Sequence, residues 1–171
     1  AYEIPKRDWS SDVCSSDLPK GRGQTSTVIL SDGAFTLIDE SYNASPVSMT
    51  AAIESLGRRQ PGEGGRRIAV LGDMLELGED SPELHAGLLK PLRRNHIDLV
   101  FTAGKNMERL WEVLPSSLRG GHAANSGRLS PLMTGSVRPG DIVMVKGSAG
   151  SRMGGIVRSE EHTSELQSRF G

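Results

Sequence analysis

Lys146-Gly147-Ser148-Ala149-Gly150-Ser151-Arg152 follows an unbroken apolar run, Ile142-Val143-Met144-Val145. A glycine-rich turn at a strand exit can aim backbone N–H groups at an anion, and a guanidinium such as Arg152 can hold a carboxylate or phosphate through two parallel hydrogen bonds. A plain tight turn before a helix has the same composition, so this segment alone does not choose between them. A second polar knot, Asp39-Glu40-Ser41-Tyr42-Asn43, follows Thr36-Leu37-Ile38. Its rival reading is a capped loop with solvated acids. Asp73 comes after Ile68-Ala69-Val70-Leu71-Gly72, and Gly104-Lys105 after the stretch Asp98 to Thr102. Asp73 either caps a turn or binds a ribose or a cation.

Other chemistries find little support. No Gly-x-Gly-x-x-Gly follows a strand, and no Gly-x-x-x-x-Gly-Lys-Ser/Thr loop occurs, so nothing here cradles a triphosphate unaided. His85, His96 and His122 lack ligand spacing, and no metal site is expected. His85 reads as a capping or surface histidine. Ser148 and Ser151 have no evident histidine partner for a serine hydrolase. A net charge of −1 argues against nucleic acid as the main partner. No apolar run approaches the roughly 18 residues of a membrane span, and no signal-peptide pattern opens the chain. Cys14 is the one cysteine, so disulfides carry no information on compartment.

The elements that would position these groups alternate. Thr27 to Leu30 and Phe35 to Ile38 are strand-like, joined through Asp32-Gly33, a hairpin signal. Ser45 is placed to cap a helix with Pro46 in its first turn and Met49, Ala52, Ile53 and Leu56 on one face. After the strand over 68–71, Ser81 and Pro82 open a helix to about Asn95, with Leu84, Leu88, Leu89 and Leu92 inward and Pro91 bending it or ending it early. A strand over 98–102 leads to a helix with Met107, Leu110, Trp111 and Leu114 inward. Gly120 to Asn125 is a weak strand. Leu129, Leu132, Met133 and Val137 mark a helix with Pro131 in its first turn, before the final strand over 142–145. Such alternation predicts an α/β domain with a mostly parallel sheet, helices on both faces, right-handed crossovers and an N-terminal hairpin. Ligands then bind beyond the carboxyl ends of the strands, where all four polar segments fall.

The two ends read differently. One codon choice for Arg158 to Ser168, RSEEHTSELQS, has a reverse complement that in another frame reads Asp8 to Leu18, DWSSDVCSSDL. Common descent does not make two ends of a chain antisense translations of each other; both look like translated sequencing adaptor. The expected division is residues 1–18, unassigned and adaptor-derived; 19–157, the domain; and 158–171, an adaptor-derived tail.

Three ordered motifs carry a resemblance: Asp39-Glu40-Ser41-Tyr42-Asn43-Ala44-Ser45-Pro46 with Ser48-Met49; Ala69 to Glu79 with His85; and Val145-Lys146-Gly147-Ser148 through Arg152-Met153. Over nearly all of Lys20 to Val157 the chain resembles the C-terminal, Rossmann-like domain of the bacterial Mur ligases. It is most similar to members that add D-alanyl-D-alanine to UDP-N-acetylmuramoyl-tripeptide in peptidoglycan precursor synthesis. The resemblance implies a cytoplasmic, ATP- and Mg2+-dependent amide ligase with two further domains, an N-terminal one for the UDP-sugar and a central ATPase. ATP phosphorylates the tripeptide carboxylate, the incoming amine attacks the acyl phosphate, and phosphate leaves from a tetrahedral intermediate. This domain would swing onto the central one. Arg22, Glu40, Tyr42 and Asn43 would line the nucleotide, and Asp73, Lys146, Ser151 and Arg152 the dipeptide side. No catalytic group lies in the fragment, which is expected to bind no cofactor and turn over no ATP alone. Members often have Asp at the place of Glu40 and Asn at that of Ser45. Two other readings compete: an autonomous anion- or nucleotide-binding module, and the C-terminal domain of a folylpolyglutamate synthase-like ligase, which should lack the Tyr42-Asn43-Ala44 and Leu71-Gly72-Asp73-Met74 pair.

Overall fold

The computed structural model describes residues 19–160, and most of both adaptor-like segments therefore lies outside the described residues. Six strands form one sheet: β1 (Gln24–Leu30), β2 (Gly33–Glu40), β3 (Arg67–Gly72), β4 (Leu99–Ala103), β5 (Arg119–Ala123) and β6 (Ile142–Lys146). Their order across the sheet is β1-β2-β6-β3-β4-β5. Only β1 runs antiparallel to its neighbour; β2, β6, β3, β4 and β5 are parallel. The hairpin closes at Leu30 opposite Gly33, so Ser31 and Asp32 form the turn.

Alternation along each parallel strand feeds two cores, because successive side chains point to opposite faces. Ile38, Ala69, Leu71, Val100, Ile142 and Met144 face one cluster. Leu37, Ile68, Val70, Phe101, Val143 and Val145 face the other. The first cluster is covered by α1 (Pro46–Arg58), α2 (Ser81–Ala86), α3 (Leu89–Arg94) and α4 (Glu108–Val113). The second is covered by α5 (Ser126–Thr134) and by a helix over residues 154–160. That last helix runs through the position where the adaptor-like tail begins.

The start of α1 follows local chemistry. Ser45 Oγ accepts from the Ser48 N–H at 3.2 Å, Ser48 Oγ accepts from the Ser45 N–H at 2.9 Å, and Pro46 occupies the first turn. Met49, Ala52, Ile53 and Leu56 are all buried.

Four expectations need correction. The helix after Ser81 is two helices, broken at Gly87-Leu88, and Pro91 neither bends nor ends it. Pro91 sits in the first turn of α3, where a missing N–H costs no intrahelical bond. Pro131 is inside α5 rather than in its first turn, because Asn125 caps the helix at Ser126 by accepting from the Arg128 N–H at 3.0 Å. Asn125 therefore does not belong to β5. Leu132 is 48% exposed and leaves the core to Leu129 and Met133.

Candidate functional site

Because β2, β6, β3 and β4 run in parallel, their carboxyl ends share one border of the sheet. Asn43 lies three residues past β2, Asp73 directly after β3 and Lys105 two residues past β4, while Lys146 ends β6. All four therefore gather on a single rim, at the place where open α/β sheets bind ligands.

Glycines let the central exits approach closely. A Cβ on Gly147 would stand 2.5 Å from Met153 Cγ and 3.1 Å from Gly72 Cα, and closer still to Ser151 Oγ. Gly147→Ala is expected to cost about 1–3 kcal/mol through overpacking, read as a lowered urea midpoint with an unchanged m-value.

Three adjoining depressions lie along the middle of the rim. A cleft of about 360 Å3 is lined by Arg22, Glu40, Tyr42, Asn43, Ser45 and Lys146. The Arg22 guanidinium carbon lies 4.3 Å from the centre of the Tyr42 ring, a cation–π pair on an exposed surface. A second cleft, of about 220 Å3, brings together Asp73, Lys105, Asn125, Ser126, Ser151 and Arg152. Between them a groove of about 520 Å3 runs past Lys20, Ser41, Tyr42 and Arg152. Arg152 lines both of the latter, is exposed, and adopts a left-handed backbone with φ 55°.

Lys146 behaves differently from its neighbours. Its side chain is only 6% exposed; Nζ donates to Asn43 O at 2.9 Å and stands 3.9 Å from Glu40 Oε2. It joins the exits of β6 and β2 and faces the Arg22 cleft, away from Ser151 and Arg152. Ser148, which sequence reading did not select, pins the rim from the same segment. Its Oγ accepts from the Leu75 N–H at 3.0 Å and donates to Ala44 O at 3.4 Å. Asp73 has local work as well: its carboxylate accepts from the N–H groups of Asn106 and Met107 at 3.2 and 2.8 Å, which closes the turn into α4. Ser151 Oγ donates to Ser148 O at 2.6 Å and tightens the glycine-rich turn.

His85 is not a surface histidine. It is fully buried, Nδ1 donates to Ser81 O at 2.6 Å, and Nε2 accepts from the Met74 N–H at 3.0 Å. The ring holds the loop after β3 against α2. Lys105 was legible only as a strand-exit residue; its place in the second cleft depends on where β4 lies in the sheet.

Burial pushes the Glu40 carboxyl above its usual value, an effect that the Lys146 ammonium partly offsets, and burial pushes Lys146 below its own. Between the unfolded value near 4.5 and the raised folded value, the native state holds more protons than the unfolded one. This contribution is therefore greatest below the unfolded value and is lost as pH rises through the folded one. Glu40→Gln removes the titration, so the wild type's stability relative to the variant should fall as pH rises across that window. Urea midpoints of both proteins taken at a series of pH values would read the change; parallel profiles would refute it.

A wound α/β sheet with cations, an exposed aromatic ring and a glycine-rich turn along one rim is a domain of the Rossmann-like class. Residues 21–149 match the family model described as "Mur ligase, glutamate ligase domain". Two curated relatives are UDP-N-acetylmuramoyl-tripeptide--D-alanyl-D-alanine ligases. The one from Bacillus subtilis is 34% identical, with 81% of this chain and 31% of the relative covered. The one from Mycobacterium leprae is 32% identical, with 81% of this chain and 30% of the relative covered. Among solved structures, the MurF ligase from Thermotoga maritima in complex with ADP superposes with a TM-score of 0.68 at 26% identity, over 88% of this chain and 32% of that one. The chain belongs to the Mur ligase family and corresponds to its C-terminal domain. It spans less than a third of the length of the curated relatives it matches.

Proposed function

We propose that this domain closes onto a central ATPase domain in a cytoplasmic ligase that joins D-alanyl-D-alanine to UDP-N-acetylmuramoyl-tripeptide. The observation that carries the reading is the pairing of two clefts on one rim, with Arg152 at the edge of the second. Arg22, Tyr42, Asn43 and Glu40 face the nucleotide; the Arg22 guanidinium and the Tyr42 face suit a phosphate and a flat ring respectively. Lys146 holds the Asn43 carbonyl so that this loop keeps its place. Ser151 and Arg152 face the dipeptide, whose terminal carboxylate pairs with the Arg152 guanidinium, and Asp73 orders the loop beside them.

ATP, when bound, supplies the phosphoryl group that activates the tripeptide carboxylate. Among the described residues no three His, Cys, Asp or Glu side chains come together. The Mg2+ that accompanies ATP is assigned to the phosphates and the central domain. The work of this chain is orientation and charge stabilisation on a bound acyl phosphate, and exclusion of water from it.

The test compares two proteins: the product of the longer gene and this 171-residue chain. The longer protein should release phosphate only when the tripeptide precursor and D-alanyl-D-alanine are both present, and the chain alone should release none. A longer protein that forms no amide would overturn the proposal. Micromolar nucleotide binding by the isolated chain would favour the autonomous module instead.

A further inference from the structure

The corner of the rim where β4 and β5 end holds an open cavity of about 620 Å3 whose walls include Lys105, Glu108, His122, Arg128 and Leu132. It adjoins the second cleft, with which it shares Gly104, Lys105 and Ala124, but Glu108, His122, Arg128 and Leu132 belong to it alone. Neither the Lys105 ammonium nor the Arg128 guanidinium has a hydrogen-bond or ion-pair partner among the described residues.

His122 lines the same cavity, its ring fixed on the face of the sheet that α4 covers. Its Nδ1 lies 2.8 Å from Oγ1 of the buried Thr102. Its ring stacks on Trp111 with centroids 5.8 Å apart, and Trp111 in turn lies beneath the Arg119 guanidinium at 5.2 Å. Nε2 has no partner among the described residues, and the residue that carries it lines the cavity. Two cations against the single carboxylate of Glu108 leave an excess of positive charge. The apolar part of the wall is Leu132, which α5 turns away from the core, beside Ala123 and Ala124.

We propose that this corner cavity binds a carboxylate carried on a short apolar stem, with Arg128 and Lys105 on the carboxylate, His122 Nε2 as a further polar contact and Leu132 along the stem. A guanidinium matches the two oxygens of a carboxylate. An exposed leucine next to paired cations favours an organic acid over inorganic phosphate, because burying its methyl groups is favourable only against carbon. The site does not rest on the ligase reading.

The experiment titrates the 15N-labelled 171-residue chain with acetate, propionate and butyrate at constant ionic strength, with inorganic phosphate and chloride as comparison anions. The readouts are the amide resonances of Ala123 and Ala124 and the imidazole nitrogens of His122. Saturable shifts are expected at these groups, with Kd falling about two- to fourfold for each added methylene. Arg128→Ala, an exposed change that leaves the core intact, should weaken butyrate about tenfold. Leu132→Ser should keep acetate binding and abolish the gain with stem length, and Glu108→Gln should tighten all three acids. Shifts that do not saturate, phosphate binding as tight as butyrate, or an Arg128→Ala variant that binds as the wild type does would each overturn the proposal.

Discussion

Arg152→Ala in the complete ligase is expected to lower kcat/KM by about ten- to a hundredfold, the effect of losing one charge-assisted contact of about 1.5–3 kcal/mol. The guanidinium is exposed, has no partner among the described residues, and stands where the groove meets the second cleft. Its backbone adds a second line of argument. At φ 55° a residue with a Cβ pays about 1–2 kcal/mol that glycine would not. Arg152→Gly should therefore raise stability by about 1 kcal/mol while losing as much activity as the alanine variant. Strain of this kind persists where the side chain has a use. Arg22→Ala, which removes the cation over Tyr42, should also lower activity, chiefly through KM for ATP, with the fold kept. Steady-state kinetics with each substrate varied separately would distinguish the two sites. Full activity in both alanine variants would end the assignment of this rim to the reaction.

The largest loss of stability is expected far from the rim. Asp141, on the opposite border just before β6, has a fully buried side chain. It accepts from the Arg66 N–H at 2.8 Å, from Arg66 Nε at 3.2 Å, from Arg66 Nη2 at 2.8 Å and from the Arg138 N–H at 2.8 Å. Arg66 Nη2 also donates to Ser136 O at 2.6 Å. One carboxylate thus ties the approaches to β3 and β6 to the end of α5. Asp141→Ala strands a guanidinium that is 19% exposed together with two backbone N–H groups, and is expected to cost about 3 kcal/mol. Arg66→Ala and the double variant complete a cycle whose coupling should exceed about 1 kcal/mol. Equilibrium urea unfolding measures all three; an Asp141→Ala midpoint equal to the wild type's would refute the argument. No change in ligand preference is expected, since the pair lies at the other end of the strands.

Much of this architecture is local, and local patterns are legible in a linear chain. The apolar runs over 36–38, 68–71 and 142–145 became β2, β3 and β6, because a strand buried on both faces has no polar positions to alternate. Ser45 and Pro46 started α1 where their capping chemistry places a start. Errors arose where a pattern has two local solutions. Leucines spaced through residues 84–92 fit one helix or two, and the choice of two puts Leu88 and Leu92 into the core together. Asn125 could end a strand or cap a helix, and the cap supplies an acceptor for a helix N–H that would otherwise lack one.

By itself the chain determined the alternation of strands and helices, and with it the gathering of polar exits on one border, because parallel strands connected by helices must all leave at the same side. Only the tertiary structure decided which exit meets which. Inserting β6 between β2 and β3 brings the Lys146 ammonium to Asn43, 103 residues away, and so turns that lysine toward the cleft that Arg22 lines. The same folding brings Asp73 to two N–H groups more than 30 residues on and seals His85 beneath the loop after β3. The reason is one of range: caps and periodicities act over a single turn, whereas the partner of a buried polar group is whatever donor or acceptor the sheet order delivers, and that order is set by the packing of whole layers.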